Sequence, residues 1–287
     1  CTPKNTSTKK LAEMMVGSSI KAPKKLHKPA GQVLLKVDNV CSLSKNTFGT
    51  SLKNVTFELR QGEILGIGGE AGNGQDELFA VLSGEQVSNK GSISFKDTNI
   101  NKLTPNQRRK IGLLSAPEER LGHAAAPNMS LIENILITSE QSQNLVSKGF
   151  IDWKKSKAFA EKVINKFDVR TPGSQNTAGS LSGGNLQKFV IGREILQNPS
   201  VFIVNQPTWG VDAAAASSIR QALLTLSGNG AAILVISQDL DELLEISDQF
   251  AALNEGALTK TKTTAKLSLE QIGLMMGGAK DLEANNA

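Results

Sequence analysis

Two hydrophobic rhythms divide the chain. Apolar and polar residues alternate over 33–40, 54–60 and 91–97, which is the period of a half-buried strand. Continuous apolar runs at 64–68, 111–114, 201–204 and 231–236 instead suit strands covered on both faces. Helical periods stand between these runs, so the order of elements predicts an α/β fold around a parallel sheet. Between about 119 and 198 the strand signal lapses, and helical periods such as 153–167 and 185–197 take over. We expect a helical subdomain inserted there. Residues 18 to about 32 hold Gly, Ser, Pro and Lys without an apolar period and read as a linker. After Lys266 the pattern is one amphipathic helix and a polar tail.

Composition narrows this picture. A chain of 287 residues, 39% hydrophobic, buries a core of one large domain, or of one domain with a subdomain. Its net charge of +5 is unevenly placed: seven lysines and one acid, Glu13, fall within residues 1–28, which leaves the remainder close to neutral. A neutral body with a basic tail argues for a solvated linker and against a nucleic-acid surface. Two cysteines, Cys1 and Cys41, form no disulfide framework and suit a reducing cytoplasm, with Cys41 expected as a small core residue. No apolar run approaches the length of a membrane span, and no apolar stretch before residue 30 suggests a signal peptide. The chain begins without Met, and Leu11-Ala-Glu-Met-Met-Val-Gly17 echoes Ile272-Gly-Leu-Met-Met-Gly-Gly278. The missing Met suggests a piece of something longer, and the echo fits either a duplicated protein, with residues 1–17 the tail of a preceding copy, or two unrelated amphipathic turns.

The first chemical signal follows the run at 64–68. Gly69-Glu-Ala-Gly72-Asn73-Gly74-Gln75-Asp76 leads into an apolar helical stretch. Strand, glycine loop and helix together form the setting in which backbone N–H groups cradle phosphates, and the spacing is that of G-x-x-x-x-G-K-[ST]. The chemistry departs from it. Gln75 stands where a lysine reaches the phosphates, and Asp76 where a hydroxyl meets Mg²⁺. Carboxylates also oppose a phosphate at a helix start, since like charges 4 Å apart repel by roughly 4 kcal/mol at an effective dielectric of about 20. Taken alone, the loop fits either a weakened phosphate site or a glycine turn with no ligand.

A second glycine motif decides between families. Leu181-Ser182-Gly183-Gly184-Asn185-Leu186-Gln187-Lys188 resembles the signature of ATP-binding cassettes, LSGGxxxK. Ser182 and the bare backbone of Gly183 and Gly184 open a helix and make another anion cradle. The run 201–204 then ends in Asn205-Gln206-Pro207-Thr208-Trp209-Gly210-Val211-Asp212, which resembles the family's D-E-P-T-x-G-L-D. Further on, Ser237-Gln238-Asp239 resembles the switch segment, with Gln238 in place of histidine, and Ala116-Pro117-Glu118-Glu119-Arg120 falls at the Q-loop, with Glu118 in the glutamine's place. Phe48 is a candidate to stack on adenine, although a core position suits it better. His27 and His123 lack metal-ligand spacing, so no metal site is expected of them.

The resemblance covers residues 31 to 265 and is most specific to the second cassette of the fused ATPases that drive simple-sugar and nucleoside importers. It implies an ABC-type P-loop NTPase fold, with a RecA-like parallel core, an antiparallel β subdomain and helices inserted at about 119–198. Residues 1–30 would be the end of a preceding cassette and its linker, and 266–287 a closing helix and tail. The nucleotide-binding positions are then Gly69, Gly72, Asn73, Gly74, Gln75 and Asp76, with the signature at Ser182, Gly183, Gly184 and Asn185. Glu118 takes the Q-loop place, Asn205 and Gln206 the acidic pair, Asp212 the D-loop and Gln238 the switch. In the family the first acid anchors Mg²⁺ and the second polarises the attacking water, and an amide does neither well. The resemblance implies ATP as ligand, with Mg²⁺ doubtful at this chain's own site. Its implied partners are an amino-terminal cassette of the same subunit, permease subunits and, indirectly, a solute-binding protein, at the cytoplasmic face of the membrane. Two other readings fit the same residues: an active soluble ATPase with unusual site residues, and a non-enzymatic regulatory module.

Overall fold

The computed structural model describes residues 29–278, and its architecture follows from where the apolar runs are buried. The first strands are β1 (Val33–Ser42) and β2 (Leu52–Arg60), followed by β3 (Ile64–Gly68), whose five residues are all buried. After α1 (Gln75–Ser83) come β4 (Lys90–Phe95), the short β5 (Thr98–Asn99), α2 (Pro105–Lys110) and β6 (Leu113–Ala116). Next are α3 (Leu131–Ser139), the hairpin of β7 (Val146–Ser147) and β8 (Phe150–Ile151), α4 (Trp153–Lys166) and α5 (Gly183–Ile195). The chain returns to the sheet with β9 (Val201–Asn205), α6 (Ala213–Gly228), β10 (Ala232–Ile236) and α7 (Leu240–Ile246). It ends with β11 (Gln249–Asn254), β12 (Ala257–Leu258), β13 (Lys262–Thr263) and α8 (Leu269–Met276).

One sheet runs in the order β5-β4-β1-β2-β12-β11-β3-β10-β9-β6, with β13 paired to β11. Its two halves differ in kind. β11, β3, β10, β9 and β6 are parallel, whereas β5, β4, β1 and β2 are antiparallel. The parallel strands send alternate residues to opposite faces: Ile64, Ile233 and Val235 enter the core under α3 to α6, and Leu65, Ile67, Leu234 and Ile236 the core under α1. This is an ABC-type nucleotide-binding fold, mixed α/β with helical parts. Such a sheet presents ligands at the carboxyl ends of its parallel strands. The Gly69 loop, Glu118, Asn205 and Ser237 all follow such ends.

Several local expectations are corrected. Between 119 and 198 the chain is not wholly helical, because β7 and β8 form a hairpin whose two turn residues, Lys148 (φ 51°) and Gly149 (φ 82°), are both left-handed. Two-residue strands are too short to show an alternating pattern. Phe48 is 99% exposed at the tip of a turn, so it is not a core residue, and Cys41 is half-buried on β1. β11 was not anticipated, since Phe250-Ala-Ala-Leu253 is too short and too rich in alanine to stand out. The expected tail copy at 1–17, residues 18–28 of the linker and the tail from 279 lie outside the described residues.

Candidate functional site

The glycine loop owes its shape to its neighbours as much as to its glycines. Gly72 (φ 85°) and Gly74 (φ 107°) hold left-handed backbone, and Gly74 is the N-cap of α1. A Cβ on Gly69 would lie 2.5 Å from the Leu253 carbonyl oxygen and 2.8 Å from Gln75 Nε2. Asn73 ties the loop to the turn after β11, accepting from the Glu255 N–H at 3.0 Å, and Thr50 Oγ1 donates to the Gly72 carbonyl at 2.6 Å. Gln75 is buried and turns inward, its Nε2 donating to the Glu70 carbonyl at 2.7 Å. The amide thus satisfies the loop itself and does not project from it.

Asn205 is 2% exposed at the end of β9, and its Nδ2 donates to Asp76 Oδ1 at 3.3 Å while its Oδ1 is buried without a hydrogen-bond partner. Gln206, next along, is buried with φ 51°. Its Oε1 stands 3.4 Å from the Gln238 N–H and 3.4 Å from Ser237 Oγ. The Gln238 side chain is exposed. Asp212 caps α6, accepting from the Ala215 N–H at 2.9 Å.

Ser182 is the N-cap of α5 but does not bond its backbone. Its Oγ accepts from Asn185 Nδ2 at 2.9 Å, and Asn185 Oδ1 accepts from the Arg170 N–H at 2.8 Å. The first turn of α5 therefore keeps backbone N–H groups without side-chain caps, open to an anion. Gln187 Nε2 donates to the Pro207 carbonyl at 2.8 Å, which fixes this helix to the segment after β9.

A cleft of about 620 Å³ joins Asp76, Glu77, Glu118, Glu119, Arg120, Asn205 and Trp209. Its lining holds the acids Asp76, Glu77, Glu85, Glu118 and Glu119 against the cations Lys45 and Arg120 and the titratable His123. Burial pushes the Glu118 carboxyl above its ordinary range, and the charge of Asp76 adds to this against the pull of Arg120. We tested the cleft against a magnesium-bound phosphate chain. The acid surplus and the glutamine folded back on its own loop disfavour the phosphates, whereas the unpartnered Asn205 oxygen is an acceptor that a cation could meet. Of the sequence-predicted residues, Asp76, Glu118 and Asn205 line the cleft and Ser182, Gly183 and Gly184 form the turn, whereas Gly69, Gly72, Asn73, Gly74, Gln75, Gln206 and Asp212 line neither. Gln238 and Phe48 are exposed and line neither.

Three polar groups of the region escaped the sequence reading. Glu242, buried on α7, accepts from Ser237 Oγ at 2.9 Å, and its carboxyl is pushed up by burial against the hydrogen bonds of Thr208 and Ser237. Arg193, in the last turn of α5, donates to the Ala124 carbonyl at 2.8 Å. Arg120 lies against Gly183 and Gly210. Each reads in sequence as an ordinary charged residue, and no spacing signals that Glu242 and Arg193 are buried or that Arg120 reaches two glycines.

The family model described as ABC transporter matches residues 52–209. A glucose import ATP-binding protein of Haloferax volcanii is 34% identical over 277 residues, which is 96% of this chain and 50% of that protein. A guanosine import ATP-binding protein of Bacillus subtilis is 32% identical over 287 residues, covering 99% of this chain and 56% of that one. The chain spans about half the length of the curated relatives it matches. A nucleotide-free ATP-binding cassette from an ABC transporter superposes with a TM-score of 0.66 at 22% identity, covering 86% of this chain and 96% of the other. A dimeric bacterial ABC transporter cassette gives a TM-score of 0.67 at 20% identity, covering 80% and 99%. These likenesses show the fold.

Proposed function

Because the chain belongs to the ABC transporter family of ATP-binding cassettes, we propose that it is the second, hydrolytically impaired cassette of an importer ATPase for simple sugars or nucleosides. The observation that carries this reading is the contrast between two places in one chain. Ser182, Gly183 and Gly184 keep an open helix start, whereas the home cleft holds an acid surplus around Asp76 and Asn205, and Gln75 beside it is bonded back onto its own loop. The relatives named for glucose and guanosine import are about twice as long, which supports a subunit of two cassettes. On this reading residues 31–265 are the cassette and 119–198 its helical subdomain, while 1–30 end a preceding cassette and 266–287 close the chain.

In the mechanism we propose, the first turn of α5 lends its N–H groups to the terminal phosphate of ATP bound on the other cassette. Asn185 holds the Ser182 hydroxyl, and Gln187 holds the helix against the Pro207 carbonyl, so the donors are set in place before the ligand arrives. Gln206 and Gln238 carry no group that takes up a proton from water at neutral pH. The permease subunits would receive the closing motion, with a solute-binding protein upstream of them. Attachment to the cytoplasmic membrane face would run through those partners, since among the described residues no helix is long and apolar enough to cross a membrane.

The test is hydrolysis by the purified chain, and by the two-cassette subunit with Ser182→Arg. We expect no turnover from the chain alone. In the subunit the substitution should lower hydrolysis at least ~100-fold, the scale of losing one preorganised phosphate contact. Brisk turnover by the unmodified chain defeats the reading.

A further inference from the structure

Arg120 sits where three parts of the molecule meet. A Cβ placed on Gly183 would lie 3.0 Å from its Nη1, and one on Gly210 would lie 2.9 Å from its Nη2. One guanidinium nitrogen therefore comes up to the first residue of α5 and the other to the turn that leads to Asp212. Its Nη1 is buried without a hydrogen-bond partner, an uncommon state for so polar a group and one that marks a position held for a purpose other than stability. Arg120 lines the same cleft as Glu118 and Asp76, and its charge pulls the Glu118 carboxyl down against burial and Asp76.

The segment that carries Arg120 is fastened along α5. Arg193 donates to the Ala124 carbonyl at 2.8 Å and lies 3.2 Å from the Asn134 carbonyl. The Ala125 N–H bonds back to the Arg120 carbonyl at 2.8 Å, and the Ala126 N–H to Asn134 Oδ1 at 2.8 Å. Residues 120–126 thus follow the last turn of α5 through Arg193 and touch its first turn through Arg120.

We propose that Arg120 is a positioning residue through which the charge state of the acidic cleft sets the geometry of the Ser182–Gly184 turn and of the turn at Gly210. Calling that turn the one lent to a second cassette rests on the function proposed above; the linkage itself does not. A neutral Glu118 releases the guanidinium, and an ionised Glu118 draws it toward the cleft and away from the two glycines. Gly183 has no left-handed φ, so a side chain there would meet no backbone strain, and the nearest atom to its Cβ would be Arg120 Nη1 at 3.0 Å.

Hydrogen–deuterium exchange on the whole chain tests this. Glu118→Gln should change protection at 182–186 and at 209–213 by roughly two- to tenfold, the scale of coupling between neighbouring residues, and should change neither in an Arg120→Ala background. Gly183→Ala should disturb 182–186 in the parent chain and become nearly silent once Arg120 is alanine. Arg120→Lys, which keeps the charge without the flat fork, should behave as Arg120→Ala does. If Arg120→Ala does not fold, Gly183→Ala and Arg120→Lys decide alone. An equal response to Glu118→Gln with and without the arginine overturns the proposal, as does an undiminished Gly183→Ala effect in an Arg120→Lys chain. None of these readouts involves hydrolysis or a partner, so turnover by the isolated chain would defeat the proposed function and leave this linkage standing.

Discussion

An amide cannot replace a carboxylate where a proton must move, but it is well suited to sit beside one. Asn205 touches Asp76 through Nδ2, and a second carboxylate in its place would face Asp76 with Glu118 also in the cleft. Asn205→Asp alone should therefore lower unfolding stability by ~2–4 kcal/mol at neutral pH. The new carboxyl would have a raised pKa, so the loss should shrink as pH falls toward 4, which denaturant titration at several pH values would show. The same argument expects no recovered hydrolysis from Asn205→Asp with Gln206→Glu, because Gln75 and Asp76 still oppose the phosphates. Arg108 illustrates a structural cation. It is 1% exposed and bonds the carbonyls of Val81 and Leu82 at the end of α1, and those of Ile100 and Leu103, while burial draws its guanidinium down to about 10. Arg108→Met strands four carbonyls and should cost ~3 kcal/mol or more in the same measurement. Single letters had announced Gln75, Asn205, Gln206 and Gln238 as departures. They could not announce that Gln75 would fold back on Glu70, because a glutamine's partner depends on the loop around it.

Helix starts carry the next layer of information, and they read more plainly. Ser130 and Glu133 form a reciprocal cap on α3, with both hydrogen bonds present. Ser130→Ala should lower stability by ~1 kcal/mol and shift the thermal midpoint by a few degrees. The link between α1 and the segment after Glu118 is electrostatic: His123 Nε2 lies 3.1 Å from Glu85 Oε1. The Glu85 hydrogen bond raises His123 above its ordinary 6.5 against burial. Burial alone would raise Glu85, but His123 and Ser83 outweigh it and hold the carboxyl below 4.5. The histidine's contribution is complete below 6.5 and fades as pH rises through its folded value; the glutamate's is complete above 4.5 and fades as pH falls through its own. The pair is thus strongest between about 4.5 and 6.5. Both groups are over a third exposed, so it contributes under ~1 kcal/mol. NMR titration should place the His123 midpoint above 6.5, and Glu85→Gln should bring it back toward that value. Periodicity located β1, β2, β3, β9, β10 and the signature helix closely, because long or fully apolar runs have one stable place. It passed over β7 and β8, each two residues long, and β11, which becomes a strand only beside β3, a partner remote in sequence.

The molecule as a whole unites an antiparallel half and a parallel half in one sheet, with the cleft and the α5 turn at the rim of the parallel half. Two copies of this chain placed head to tail would set each signature against a cleft with an acid surplus. We therefore expect sedimentation velocity to show no dimer driven by Mg-ATP, whereas a cassette with a lysine-bearing loop should produce one; ATP-driven self-association would count against the proposed pairing. The strand order has a further consequence, in time instead of space. β3 is complete by Gly68, yet its two neighbours, β10 and β11, begin only at Ala232 and Gln249. During synthesis β1, β2 and β4 can pair as they emerge and α1 can cover the Leu65 and Ile67 face of β3, but both edges of β3 stay unpaired until most of the described chain has left the ribosome. Its unpaired Ile64-Leu-Gly-Ile67 is then the segment that nascent-chain chaperones have most reason to hold, and a message truncated before residue 232 would yield a product in which β3 has no strand to pair with.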